Sequence, residues 1–244
     1  GGKNAQIVMP DANMDLAIDG VLWGAFGTTG QRCTATSRLI LHKDIYWEFI
    51  EKLKIRTEAL KLGDGLIPGN DIGPVIHENS LLNIDNYVKT AIKEGGRLIC
   101  GGIRAVDGDL AKGSFYYPTI IADVVPTHTI FMEEIFGPVL AVAKADSFDH
   151  AIELQNTCDF GLSSSIYTKN INNAFKAIRD IETGITYINA PTIGAEAHMP
   201  FGGVKGTGNG HREGGWTVFD IFTEWKTVYI DYSDKLQRAQ IDNY

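Results

Sequence analysis

Cysteine is scarce in this sequence of 244 residues: there are three, Cys33, Cys100 and Cys158, widely spaced and with no Cys-x-x-Cys pair. An odd, dispersed set excludes a disulfide-stapled scaffold and points to a reducing, cytoplasmic setting. No run of apolar residues is long enough for a membrane span, and no charged-then-apolar leader opens the chain. Basic residues are outnumbered, 22 Lys and Arg against 30 Asp and Glu, for a formal charge of -8. A nucleic-acid binder would show a basic face, so that class is set aside. None of the 6 histidines pairs with another at metal-ligand spacing, which leaves zinc without support. The run Gly63-Asp64-Gly65-Leu66-Ile67-Pro68-Gly69 carries its third glycine one place too late for a dinucleotide fingerprint. Gly206-Thr207-Gly208-Asn209-Gly210 fails that pattern too, and there is no Walker loop. If a nucleotide binds, this stretch does not supply its phosphate cradle.

What is present is an alternation of helical and strand patterns, the signature of an α/β layered domain with a mainly parallel sheet flanked by helices. Ala5 to Val8 is strand-like. Residues 11–24 read as a helix with Asp11 as N-cap, and 44–60 and 77–94 as amphipathic helices. Residues 101–113 read as a surface hairpin loop. Strand runs fall at 38–42, 98–100, 139–143, 163–168 and 184–189, with helices at 147–156 and 172–181. The segment 226–230 is β-rich and is followed by a polar end. Gly1-Gly2-Lys3-Asn4 runs straight into a strand without a leading Met, and the chain is expected to be a fragment of something longer.

One cysteine stands in a setting suited to chemistry. Cys33 lies in Thr28-Thr29-Gly30-Gln31-Arg32-Cys33-Thr34-Ala35, a small polar loop between a helix and a strand. Loops held by rigid elements commonly display nucleophiles. Arg32 sets a positive charge beside the thiol, whose thiolate is the reactive form. A buried structural cysteine is the competing reading here, and composition does not decide between them. Cys100 and Cys158 have apolar or featureless settings and read as structural. Ser163-Ser164-Ser165 lacks the glycines of a nucleophile elbow and reads as strand.

Four patches, in order along the chain, resemble the aldehyde dehydrogenase superfamily. Phe26-Gly27-Thr28-Thr29-Gly30-Gln31-Arg32-Cys33-Thr34-Ala35 is similar to its active-site cysteine signature. Glu133-Glu134-Ile135-Phe136-Gly137-Pro138-Val139 is similar to its nicotinamide-side signature. Pro200-Phe201-Gly202-Gly203-Val204-Lys205, with Gly208, Gly210, Arg212 and Glu213, resembles its glycine-rich turn near the active site. Phe222-Thr223-Glu224-Trp225-Lys226-Thr227-Val228 resembles its terminal segment.

The resemblance implies an NAD- or NADP-dependent oxidation of a small aldehyde to the acid. The Cys33 thiolate attacks the aldehyde, hydride leaves to the nicotinamide, and water hydrolyses the resulting thioester. It also implies that the Cys33 N–H is one oxyanion donor. Glu134 would hold the nicotinamide ribose, Phe136 would contact the ring, and Glu224 would assist proton removal. Arg32, Gly194 and Ala195 resemble the parts of members that oxidise semialdehydes bearing a carboxylate. The family's general-base Glu, its second oxyanion donor (an Asn) and its dinucleotide-binding domain have no counterpart within 1–244, so the fragment alone is expected to be inactive. Residues 1–224 would then be the catalytic domain and 225–244 an oligomerisation strand and tail, joining a partner's sheet in a homodimer or homotetramer. Two rivals stay open: a CoA-acylating dehydrogenase, and a non-catalytic half-protein acting as a binding or structural module.

Overall fold

The computed structural model describes residues 1–236. Seven strands form one sheet in the order β3-β4-β5-β2-β1-β7-β8. These are β1 (Asn4–Val8), β2 (Thr36–His42), β3 (Arg97–Cys100), β4 (Thr119–Ala122), β5 (Val139–Ala145), β7 (Ser163–Tyr167) and β8 (Ile185–Ile188). Only β3, at one edge, runs antiparallel, paired with β4. The remaining pairings are parallel. A two-residue strand β6 (Phe160–Gly161) pairs separately with β9 (Val204–Lys205).

Parallel strands are covered on both faces, so their sequences run apolar rather than alternating. The central strands follow this rule. Ile40, Ala141 and Ala143 face one core with Leu81, Ile84 and Val88 of α3 (Glu78–Lys93) and with α5 (Phe148–Asn156). Their neighbours Leu39, Leu41, Leu140 and Val142 face the other core, with α1 (Met14–Phe26) and α2 (Tyr46–Glu58). The short α4 (Thr129–Met132) contributes Phe131 to the first core, and α6 (Ile171–Asp180) contributes Ala177. A short α7 (Val218–Phe222) lies late in the chain.

Most expected elements form within a residue or two. The cap of α1 is the main local correction. Asn13, not Asp11, accepts from Leu16 N at 3.2 Å. Asp11 reaches across the fold to Thr168 Oγ1 and to the N–H groups of Lys169 and Asn170, both at 2.8 Å. Strand β4 and the β6–β9 ladder were not expected; each is four residues or fewer and carries little periodicity. Residues 101–113 lie in the β3–β4 connection, with an Arg104–Tyr116 bridge and a single 3-10 turn at Gly108–Lys112. Residues 226–230 form no ladder among the described residues and are exposed. The end at 237–244 lies outside the described residues. Among the described residues, no helix is long and apolar enough to cross a membrane.

Candidate active site

The loop between α1 and β2 is bonded from both sides before its cysteine is reached. Thr29 Oγ1 donates to Gly73 O at 3.1 Å. Gln31 donates to Pro74 O at 3.2 Å and accepts from Ile76 N at 2.9 Å. Gly30 has φ +65, and a Cβ there would run into the Gly137 carbonyl. The nucleophile loop and the Glu134–Pro138 turn therefore touch backbone to backbone, which only glycine permits.

After the cysteine, three consecutive carbonyls are taken by two buried side chains. Asn4 Nδ2 donates to Cys33 O at 2.8 Å and Ala35 O at 2.9 Å, while its Oδ1 accepts from Ser163 N at 3.0 Å. Thr192 Oγ1 donates to Thr34 O at 2.7 Å and lies 2.9 Å from Thr36 Oγ1. Ser163 Oγ in turn holds Thr192 O at 2.7 Å. The backbone around Cys33 is thereby tied to β1, β7 and the 189–193 segment. Its thiol stays exposed. Neither Asn4 nor Thr192 was picked out from sequence, because each acts across a long sequence separation through a backbone carbonyl. The other two thiols are buried and free. Burial pushes the Cys100 thiol up to about 11, which makes it inert at neutral pH.

Cys33 opens onto a cleft of about 550 Å³, shared with Leu162, Phe201, Thr207, His211, Glu213 and Asp220. Phe201 and Glu213 are bridged by backbone bonds in both directions, Glu213 N to Phe201 O at 2.7 Å. That bridge closes the glycine-rich segment into a loop that lines the cleft. Thr207 fastens it to the start of the chain, donating to Gly1 O at 2.9 Å and accepting from Gly161 N at 3.1 Å.

Two carboxylates line this cleft, Glu213 and Asp220. Glu224, expected to assist proton removal, is exposed beyond α7 and does not line it.

Behind Cys33, a shallow recess gathers Gly2, Arg32, Thr36, Glu134 and Phe136. Glu134 Oε1 accepts from Gly2 N at 3.0 Å. Phe136 holds φ +57 and is 46% exposed. A non-glycine residue at positive φ with an open ring is a costly arrangement that the turn keeps. Its neighbour Glu133 is used differently, accepting from Tyr87 OH at 2.7 Å.

Arg32, Gly194 and Ala195 are not brought together. Arg32 lines the Glu134 recess, whereas Gly194 and Ala195 line a separate hollow of about 500 Å³ with Tyr187, Glu196 and His198. Adjacency in sequence to Cys33 does not carry the Arg32 side chain into the Cys33 cleft. Among the described residues, no group of three His, Cys, Asp or Glu could hold a metal ion.

The aldehyde dehydrogenase family model matches residues 1–228. The α-ketoglutaric semialdehyde dehydrogenase of Bacillus subtilis (strain 168) is 42% identical over 230 residues, covering 94% of this chain and 47% of that protein. The 1-pyrroline-5-carboxylate dehydrogenase 1 of Halalkalibacterium halodurans is 41% identical over 229 residues, covering 93% and 44%. Among solved structures, an NAD-dependent aldehyde dehydrogenase from Sinorhizobium meliloti matches with TM-score 0.90 and 35% identity, over 98% of this chain and 46% of that one. A betaine aldehyde dehydrogenase from Staphylococcus aureus in complex with NAD+ matches with TM-score 0.89 and 34% identity, over 91% and 44%. The chain spans about half the length of the curated relatives it matches.

Proposed function

Since this chain belongs to the aldehyde dehydrogenase family, we propose that it supplies the thiol-bearing half of an NAD-dependent aldehyde oxidation with Cys33 as nucleophile. The observation that carries this reading is an exposed thiol whose loop has the carbonyls of residues 33, 34 and 35 all bonded, lining one cleft with Glu213 and Asp220.

The sulfur forms a bond to the aldehyde carbon, and the Cys33 N–H donates to the oxygen that becomes negative. Fixing the carbonyls of residues 33, 34 and 35 keeps that N–H and the thiol in one geometry as charge develops. A nicotinamide bound beside Glu134 and Phe136 would supply the hydride acceptor for that carbon. The acyl group is then held on Cys33 as a thioester. Water attacks that thioester, giving up its proton to a general base, and the sulfur departs as thiolate.

Glu134 and Phe136 would hold the cofactor's ribose edge. Glu134 commits one oxygen to Gly2 N and keeps the other as an acceptor for hydroxyls, with the exposed Phe136 ring beside it. NAD rather than NADP is favoured by the NAD+ complex of the S. aureus relative.

The substrate class we assign is a small semialdehyde carrying a carboxylate. Two relatives whose names specify an α-ketoglutaric semialdehyde and a pyrroline carboxylate support it. The backbone at Gly194 and Ala195 remains the carboxylate anchor of this reading, with Gly194 at φ +108. The open edge of β8 and the exposed Trp225, Val228 and Ile230 suit addition of the tail strand from a second copy, in a homodimer or homotetramer. Residues 1–224 are the catalytic unit in this scheme and 225–244 the oligomerisation tail. Three unpaired thiols suit the cytoplasm.

Product analysis tests the assignment. The intact enzyme, given NAD and a short dicarboxylic semialdehyde, is expected to form reduced dinucleotide and free acid in equal amounts. Its kcat/KM should exceed that for the unsubstituted aldehyde of equal length by about tenfold or more. Equal rates for both aldehydes would remove the carboxylate from the proposal. A requirement for coenzyme A would replace hydrolysis with acyl transfer, and no dinucleotide reduction with any aldehyde would overturn the whole reading.

A further inference from the structure

Gln6 is a fully buried amide in the middle of β1, and the reaction scheme does not use it. Its nitrogen donates twice, to Gly20 O of α1 at 3.0 Å and to Thr36 Oγ1, at the start of β2, at 2.6 Å. A carbonyl can only accept, so the Gly20 contact fixes which amide atom is the nitrogen. The amide oxygen, Oε1, is buried with no hydrogen-bond partner among the described residues. An unmet buried acceptor is costly, so this side chain is kept for its N–H groups.

Those donors start a chain that ends beside Cys33. Thr36 Oγ1 lies 2.9 Å from Thr192 Oγ1, which lies 2.7 Å from Thr34 O. Each hydroxyl has a single proton. The Thr34 carbonyl cannot donate, so Thr192 spends its proton there and accepts from Thr36. Thr36 in turn accepts from Gln6. Every donor therefore points one way, from Gln6 through Thr36 and Thr192 to the backbone just after the nucleophile. Bonds ordered in this way strengthen one another. Helix α1 makes room for the chain at Gly24, where a Cβ would run into Thr36 Oγ1 and Gln6 Nε2. A glycine inside a helix is unfavourable, and this one stands in the last turn before the Cys33 loop.

We infer that Gln6 is a positioning residue for the nucleophile: its donated proton keeps the Thr192 hydroxyl aimed at Thr34 O, which holds the Cys33 backbone in one geometry. This rests on the dehydrogenase reading above, which makes Cys33 the nucleophile. Without the Gln6 donor, the Thr192 proton is free to turn to Thr36 Oγ1, and Thr34 O is left unmet. The thiol stays exposed but no longer meets the aldehyde carbon at one fixed angle.

Two rates on the intact enzyme test this. One is kcat for a short aliphatic aldehyde with NAD. The other is alkylation of Cys33 by iodoacetamide without cofactor or aldehyde, read by peptide mass. Gln6→Met keeps the length of the side chain and removes its donors. It is expected to lose about tenfold to a hundredfold in kcat, while the KM for NAD and the alkylation rate hold. Thr36→Val should do the same, and Thr36→Ser, which keeps the hydroxyl, should recover most of that loss. The pair Gln6→Met with Thr36→Val should lose no more than the worse single variant, because the links act in series. Full kcat in Gln6→Met, or losses that multiply in the pair, overturns the inference. An alkylation rate that falls in step with kcat overturns it too, since that marks a damaged fold rather than a misplaced thiol. Should Gln6→Met fail to fold, the contrast between Thr36→Val and Thr36→Ser decides, and equal rates in the two overturn the inference. In each case the dehydrogenase reading stands. A wild-type enzyme that is alkylated at Cys33 but oxidises no aldehyde overturns both.

Discussion

Replacing Cys33 with alanine is expected to lower kcat/KM for aldehyde oxidation by on the order of a thousandfold or more. The bonds that shape the loop use backbone carbonyls and the side chains of Asn4 and Thr192, not the Cys33 thiol. The variant should therefore keep its fold and its melting temperature while losing the covalent step. The remaining thiols offer no substitute: Cys100 and Cys158 are buried, and the first is held protonated by its surroundings. Steady-state rates and a thermal melt on the same preparation check this. A Cys33→Ala enzyme that retains a tenth of its activity would rule out covalent catalysis at this position.

Arg38 should carry the largest single effect on stability. It is 0% exposed, and it fastens two other parts of the chain through three carbonyls: Lys3 O at 2.9 Å, Leu154 O at 3.0 Å and Gln155 O at 3.0 Å. The last two lie in the closing turn of α5 (Phe148–Asn156), where carbonyls have no helical donor and a cation is favoured. The guanidinium also sits 4.8 Å from the centre of the Phe131 ring. Arg38→Ala strands three buried acceptors and opens a cavity, at a cost of about 3–5 kcal/mol. Lys at this position keeps a charge but not the planar fork that reaches three acceptors, so it should recover only part of the loss. Urea unfolding midpoints measure this directly. A loss below about 1 kcal/mol would mean that the carbonyls find other donors.

The layered fold was legible because its strands are buried on both faces and its helices on one, which writes two different periods into the sequence. Residues 139–143 and 147–156 show both periods side by side and fold as read, as β5 and α5. Short elements carry no such period, and β4, with four residues, is not legible in the sequence. Caps were ambiguous where two acceptors lie close together. Asp11 and Asn13 are equally good N-caps locally, and only the distant Thr168 hydroxyl and the N–H groups of Lys169 and Asn170 decide between them.

The site divided in the same way. Cys33 and the Glu134–Phe136 turn were legible as linear motifs. The supports that hold them, Asn4, Thr192 and Thr207, act at separations of 29 to 206 residues and leave no local pattern. Glu213 rather than Glu224 enters the cleft because the Phe201–Glu213 bridge turns the chain back on itself. That pairing is a tertiary event which the glycines permit without specifying.

The most direct test of the central claim is to trap the acyl group. Intact enzyme turning over an aldehyde with NAD is quenched in acid and digested, and its peptides are weighed by mass spectrometry. The account predicts an acyl mass increment on the peptide containing Cys33 and none on those containing Cys100 or Cys158. Free acid accumulating with no acyl group on Cys33, or with the increment on another residue, would contradict it.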